Sequence, residues 1–147
     1  HYFLGYVLYF GFCCRLDKNR AIHFFEQASN QNNSDAQYIL AGIYFFGDYI
    51  QQDINKTIYY LIRSSNNNNP KAQCLVGGMY HEGKYVQRDM NKAIEYLTLS
   101  ANQNYPNAQY SLGIIYYKGL YIQRNINKSI KYLTLAANQN YSDAQYI

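Results

Sequence analysis

The chain has 147 residues, of which 48% are hydrophobic and only 15% are charged, with a formal net charge of +4. This modest charge is spread along the whole chain, which argues against nucleic-acid binding, since nucleic-acid-binding proteins concentrate basic residues on one face. The 19 tyrosines and the abundant asparagines supply much of the remaining polarity. We therefore expect a folded protein whose surface is polar more than charged.

The sequence repeats itself every 36 residues without an insertion or deletion. Its clearest columns are an alanine at positions 36, 72, 108 and 144, each followed by glutamine, and a glycine at positions 11, 47, 83 and 119. Units of this size cannot bury a core alone and must stack on their neighbours. We predict a single array of repeats at 1–34, 35–70, 71–106 and 107–142, with a partial fifth at 143–147. Both ends of the sequence fall inside a predicted helix, which predicts that the sequence is part of a longer protein.

The chain opens on the apolar stretch HYFLGYVLYFGFCC. This stretch lacks a basic leader and is shorter than the ~20 residues that a membrane-spanning helix needs. Leu4, Gly5 and Gly11 fall in register with the later copies. We therefore interpret the stretch as the first helix of the first repeat, and we expect no membrane insertion.

The copy that begins at Asp35 shows the plan of one repeat. Ala36, Leu40 and Tyr44 recur at the spacing of one helical face, which predicts an amphipathic helix, helix A, ending near Gly47.

A second helix, helix B, follows a short turn. Asp53 is placed to cap its start, and Ile54, Ile58 and Leu61 are predicted to point inward. Its end is predicted at the asparagine run 66–69 before Pro70. The recurring Asn32, Asn68, Asn104 and Asn140 predict a left-handed backbone at this end, because asparagine tolerates that conformation.

Small residues occupy fixed columns on both helices. Helix A carries Gly5, Ala41, Gly77 and Gly113, and helix B carries Ala or Ser at positions 28, 64, 100 and 136 and at the four positions after them. Because small side chains allow close helix contact, we predict that the two sets meet face to face.

The repeat resembles a known family. The residues that carry the resemblance are Ala108, Gln109, Tyr110, Leu112, Gly113, Tyr116, Gly119, Ile122, Asn127, Lys128, Ser129, Tyr132, Ala136 and Ala137. They are similar to the Sel1-like repeat, a 36-residue relative of the tetratricopeptide repeat. The resemblance implies an all-α fold, a right-handed α-solenoid of stacked antiparallel helix pairs.

The chain departs from the family at the position two residues after the glycine that ends helix A. The family often has a second glycine at this position, so we expect an altered turn geometry in this chain. The residues here are Cys13, Tyr49, Tyr85 and Tyr121.

The resemblance also implies a function: a non-catalytic scaffold or adaptor that binds a protein or peptide partner on the concave face lined by helix A. The helix A positions that vary between copies are then the candidate binding residues, and tyrosine is common at such surfaces. These candidates are Tyr2, Tyr6, Tyr9, Tyr38, Phe45, Phe46, His81, Glu82, Tyr110, Tyr117 and Lys118. The alternative is that several of them pack between repeats.

Two further columns of the repeat contain lysines and tyrosines. The lysines at positions 56, 92 and 128 are interpreted as surface charges, some of them paired with the preceding aspartate. The tyrosines at positions 49, 85 and 121 are predicted to cover the end of their own repeat, and the alternative is an exposed aromatic edge.

Catalytic chemistry has little support in the sequence. The His81–Glu82 pair lacks the spacing of a zinc-binding helix, and a Cys74–His81 nucleophile pair has no visible orienting partner. We therefore predict no catalytic residues, no metal and no cofactor. An alternative function is a regulatory repeat region of a larger multidomain enzyme, such as a kinase-like protein.

The number and spacing of the cysteines give an indication of the cellular compartment. Cys13, Cys14 and Cys74 are odd in number and do not recur in register, which favours a reducing environment, and we expect a cytoplasmic protein. The same pattern argues against the cysteine-rich secreted branch of the family, for which binding of β-lactam compounds has been proposed.

Overall fold

The computed structural model describes residues 2, 18–47 and 50–139, in which the regular secondary structure is helical, without strands. Within these residues, seven helices of 12 or 13 residues follow one another. They are α1 (Lys18–Asn30), α2 (Ser34–Phe46), α3 (Ile54–Asn66), α4 (Pro70–Glu82), α5 (Met90–Asn102), α6 (Pro106–Lys118) and α7 (Ile126–Ala137). Helix A of the repeat plan corresponds to α2, α4 and α6, and helix B to α1, α3, α5 and α7. None of the helices in the described ranges is long and apolar enough to cross a membrane.

Local capping sets the ends of helix A. The side chain of Asn33 accepts a hydrogen bond from the backbone N–H of Ala36 at 2.8 Å at the start of α2. At the other end, Gly47 has φ +70° and its N–H donates to the carbonyl of Ile43 at 3.0 Å. Glycine suits this left-handed position because it has no Cβ. The predicted end of helix A near Gly47 is confirmed.

The ends of helix B also follow the prediction. Asp53, Asp89 and Asn125 accept hydrogen bonds from backbone N–H groups three residues later, at 2.9, 3.0 and 2.9 Å, so each caps its helix. After helix B, Asn32, Asn68 and Asn104 have φ values of 60°, 63° and 60°. The predicted left-handed asparagines are therefore confirmed at these three positions, while Asn140 lies outside the described residues.

The chain divides into two compact units, His1–Ala72 and Gln73–Ile147. In the first unit α2 packs on α1 and α3, around a core that includes Phe25 and Leu40. In the second unit α6 packs on α5 and α7, around a core that includes Leu97 and Leu112. Each of these four side chains is at most 1% exposed, so each unit has a core of its own.

The buried face of helix B differs from the prediction. Leu61 is buried as expected, but Ile54 and Ile58 are only half-buried, and Thr57 is buried in their place. The hydroxyl of Thr57 donates to the carbonyl of Asp53 at 2.9 Å, which removes most of the cost of burying it. The two isoleucines therefore lie at the flank of the core.

The glycines of helix A lie at a helix contact, but their predicted partner is wrong. A Cβ on Gly77 would lie 2.7 Å from Cγ of Leu97, and one on Gly113 would lie 2.6 Å from Cγ of Leu133. The small residues of helix B are buried elsewhere: the hydroxyl of Ser64 donates to the carbonyl of Ser34 at 2.7 Å. In an antiparallel pair the end of helix B meets the start of helix A, whereas the middle of helix A faces the leucine in the middle of helix B.

A buried glutamine connects successive repeats. Gln37 is 0% exposed; its Nε2 donates to the carbonyl of Ser29 at the end of α1, at 3.1 Å. Its Oε1 accepts a hydrogen bond from Asn67, just after α3, at 2.9 Å. In the second unit Gln109 repeats this arrangement with the carbonyl of Ala101 at 3.3 Å and with Gln139 at 2.7 Å. We call this arrangement the glutamine bridge; it ties the ends of two consecutive helices B to the helix A between them.

We predict that Gln109→Leu destabilises the protein by about 1–3 kcal/mol, because the buried carbonyl of Ala101 and the amide of Gln139 both lose a hydrogen-bond partner. Urea unfolding measures the change. The matched control is Gln123→Leu at an exposed position, where a change within about 0.5 kcal/mol is expected. Equal effects of the two substitutions would contradict the bridging role.

A second prediction compares two glycines of helix A. Gly113→Ala should destabilise by about 1–3 kcal/mol, because the new Cβ would overlap Leu133. Gly78→Ala should stabilise by up to about 1 kcal/mol, because a Cβ there meets nothing within 4 Å and alanine is the better helix former. Thermal unfolding of both variants measures the difference. A gain in stability for Gly113→Ala would show that α6 and α7 can move apart without a loss of free energy of unfolding, which would contradict the prediction.

Candidate interaction surface

The candidate residues of helix A fall in both units. Tyr2, Tyr38, Phe45 and Phe46 lie in the first unit, and His81, Glu82, Tyr110, Tyr117 and Lys118 lie in the second. Tyr6 and Tyr9 are outside the described residues.

The first-unit candidates differ in accessibility. Tyr2 is half-buried and packs against the core, with its ring centroid 6.1 Å from that of Phe25. Tyr38 is half-buried, and the ammonium of Lys71 lies 6.0 Å from its ring. Phe45 and Phe46 contact each other edge to face at 5.2 Å, and Phe46 is 70% exposed. Among the aromatic candidates of this unit that the structure describes, Phe46 is therefore the most accessible, whereas Tyr2 contributes to packing.

Four of the five second-unit candidates lie at the C-terminal ends of α4 and α6, and Tyr110 lies in the first half of α6. His81 is half-buried and Glu82 is exposed at the end of α4, and their backbone carbonyls both accept hydrogen bonds from Arg88 at 3.1 Å. Tyr110 is half-buried, whereas Tyr117 is 48% exposed and Lys118 is exposed. The polar and aromatic groups therefore become more accessible toward the C-terminal end of helix A.

The turn from helix A to helix B contains a left-handed tyrosine in the described part of the chain. Tyr85 and Tyr121 both have φ +66°, whereas Cys13 and Tyr49 of the same column lie outside the described residues. The rings of Tyr85 and Tyr121 are 47% and 67% exposed. The prediction that each ring covers its own repeat is wrong for Tyr121, because the guanidinium of Arg88, from the preceding repeat, lies 4.7 Å from its ring.

Sequence reasoning missed a cluster that recurs in three repeats, a pair of stacked tyrosines with a lysine above them. The rings of Tyr44 and Tyr60 stack 5.7 Å apart with planes 9° from parallel, and the ammonium of Lys56 lies 4.6 Å from the ring of Tyr44. The same pairing occurs at Tyr80 with Tyr96, and at Tyr116 with Tyr132. The recurrence of these columns was the available signal.

This cluster also explains the lysine column. The carboxylate of Asp53 caps the backbone N–H of Lys56, while the side chain of that lysine lies on an aromatic face, a favourable cation–π contact. The pKa of Tyr60 is raised to about 12, chiefly by burial and then by the charge of Glu26. Tyr60 is therefore neutral at physiological pH, and the cluster is part of the packing between helices A and B.

Cys74 does not have the properties of an activated nucleophile. Burial raises the pKa of its thiol to about 11, whereas a reactive cysteine needs a lowered pKa. Among the residues that the structure describes, no group of histidine, cysteine, aspartate or glutamate side chains is arranged to hold a metal ion.

Comparison with known proteins identifies the repeat. The family model of the Sel1 repeat matches residues 1–33, 34–69, 70–105 and 106–141. No curated protein sequence matches the chain.

Three solved structures share the fold. A Sel1 repeat protein from Oxalobacter formigenes is 26% identical, with a TM-score of 0.81 over 86% of this chain and 96% of that one. The protective antigen c5321 of uropathogenic Escherichia coli, described as displaying an SLR fold, is 28% identical, with a TM-score of 0.85 over 94% of this chain and 30% of that one. Cysteine-rich protein B of Helicobacter pylori is 23% identical, with a TM-score of 0.65 over 91% of this chain and 96% of that one. The predicted all-α solenoid fold class is confirmed.

We predict that Cys74 is slow to alkylate. With a pKa of about 11, its thiolate fraction near neutral pH is lower than that of an unperturbed thiol, with a pKa of about 8.5, by roughly 100-fold or more. The measurement is the rate of iodoacetamide labelling by mass spectrometry in a chain carrying Cys13→Ser and Cys14→Ser, with the urea-unfolded chain as control. Labelling of the folded chain at or above the unfolded rate would instead indicate an activated Cys74–His81 pair.

Proposed function

This chain belongs to the Sel1 repeat family, and we propose that it is a non-catalytic scaffold that binds a protein or peptide partner along the concave face lined by helix A. Sel1 repeat proteins generally mediate protein–protein interactions, and their fold is typically a non-catalytic scaffold. The raised pKa of the Cys74 thiol further supports a non-catalytic role.

The contrast between recurring and variable positions of helix A carries this proposal. The recurring glutamine and the aliphatic residue three positions after it are at most 1% exposed in α2, α4 and α6. The variable positions of the same helices, from Tyr38 to Lys118, are half-buried or exposed. The fold therefore does not need the variable side chains for its core, and their aromatic character supports a role in binding.

The surface of helix A also has open space. A Cβ added at Gly42 or at Gly78 would meet nothing within 4 Å, so no neighbouring group within the fold requires glycine there. Phe46, four residues after Gly42, is 70% exposed, and Tyr117 near the end of α6 is 48% exposed. Large aromatic side chains are frequent energetic anchors at protein interfaces, which suits them to this role.

The proposal predicts that Tyr38→Ala, Phe46→Ala and Tyr110→Ala combined abolish capture of a partner from a lysate of the cells that make the protein. The matched control combines Tyr59→Ala and Leu99→Ala, which remove exposed apolar side chains from helix B. Circular dichroism and thermal unfolding check that both variants are folded.

A partner captured by the wild type and the control but not by the helix A variant supports the proposal. Capture by all three proteins would contradict it. If the triple variant is unfolded, the single substitution Phe46→Ala gives the test, because this side chain is 70% exposed and its removal leaves the core intact.

A further inference from the structure

Two tyrosines of the second unit occupy a costly backbone conformation. Tyr85 and Tyr121 both have φ +66°, a region that side chains with a Cβ enter at a cost in free energy. Glycine or asparagine would fit the same turn more easily, and the chain uses both at its other left-handed positions. Since Tyr121 is 67% exposed, burial of its ring does not compensate for this cost. Strained residues of this kind concentrate at functional sites.

The exposed rings lie beside arginine guanidinium groups. The guanidinium carbon of Arg88 is 4.7 Å from the ring of Tyr121, and that of Arg124 is 5.1 Å from the ring of Tyr117. Arg88 is held further by two hydrogen bonds, from Nε to the carbonyl of His81 and from Nη2 to the carbonyl of Glu82, both at 3.1 Å. A side chain that is already ordered loses less entropy when it binds a ligand. We call Arg88, Tyr117, Tyr121 and Arg124 the cationic edge.

The charge of the repeat that contributes Tyr117, Tyr121 and Arg124 to this edge is one-sided. Residues 106–139 contain four basic residues, Lys118, Arg124, Lys128 and Lys131, and no aspartate or glutamate. In the preceding repeat, the carboxylate of Asp89 is engaged in capping α5. The local field therefore favours a negatively charged partner.

We propose that the cationic edge is a docking surface for an acidic segment of a partner protein. Arg88 and Arg124 donate hydrogen bonds to its aspartate or glutamate carboxylates, and the rings of Tyr117 and Tyr121 cover its aliphatic parts. This inference rests on the proposed protein-binding function but assigns a second surface, at the turns from helix A to helix B. A protein segment is favoured over a nucleic acid because Sel1 repeats generally bind proteins.

Arginine-to-glutamine substitution provides a variant that keeps the fold. Position 52 is the equivalent of positions 88 and 124 in the second repeat and is naturally glutamine. The Nε2 of Gln52 donates to the carbonyl of Phe45 at 2.7 Å, so it meets the end of helix A as Arg88 does. Arg88→Gln with Arg124→Gln therefore removes two charges from the edge and retains a side chain that this site accommodates.

The experiment measures fluorescence anisotropy of a short labelled peptide with glutamate at alternate positions, titrated with the protein at roughly 0.15 M salt. The same peptide with glutamine in place of glutamate, and a single-stranded thymidine oligonucleotide, are the comparison probes. The control protein carries Lys71→Gln and Lys131→Gln, which remove the same charge from exposed positions outside the edge.

We expect the glutamate peptide to bind the wild type and the control at least about tenfold more tightly than it binds the Arg88→Gln, Arg124→Gln variant. The glutamine peptide should bind weakly to all three proteins. Tyr121→Gly should retain or raise the melting temperature, because it relieves the left-handed strain, and still weaken the binding of the glutamate peptide.

Four results would overturn the inference. Three of them are equal loss of affinity in the edge variant and the control, equal binding of the glutamate and glutamine peptides, and tighter binding of the oligonucleotide, which would indicate a nucleic-acid site. The fourth is the absence of any binding to the glutamate peptide. This result would not bear on the proposed function, which is tested separately by partner capture with the helix A variant.

Discussion

The glutamine bridge is the contact on which the arrangement of repeats depends within each unit. A buried primary amide is costly unless both its donor and its acceptor are satisfied, and Gln37 satisfies both through groups at the ends of two different helices B. The amide geometry therefore fixes where one repeat ends relative to the next. Apolar contacts such as those of Leu40 are less directional, so they stabilise the packing without setting its register.

Much of the fold could be predicted from the sequence because local chemistry decides where these helices begin and end. A cap such as Asp53 or a left-handed residue such as Gly47 depends only on neighbours within a few positions. The partner of Gly113 could not be predicted in this way, because it depends on the axial offset between two packed helices. The role of the glutamine column was missed for the same reason: its hydrogen-bond partners are 8 and 30 residues away in the chain.

The candidate surface was predictable only in part. Variation between copies led to accessible side chains such as Phe46, since positions needed for packing are repeated, but it also led to Tyr2, which packs against the core. The turn tyrosines were harder to interpret. A tyrosine where the family often has glycine suggested a different turn, and Tyr121 has a left-handed backbone with its ring beside Arg88 of the preceding repeat. The free-energy cost of a left-handed backbone and the neighbours that a side chain contacts both depend on the folded structure, so a column of the repeat does not reveal them.

The glutamine bridge has a consequence for how such a chain can evolve. Each bridge needs a donor or acceptor from the repeat before it and from its own repeat, always at the same distances along the chain. Duplication or loss of one whole repeat preserves every such pairing, whereas a single inserted residue within a helix pair shifts one side of a bridge out of reach. The length of the array can therefore change easily only in whole repeats, and each added repeat supplies a new set of variable helix A positions on an unchanged frame.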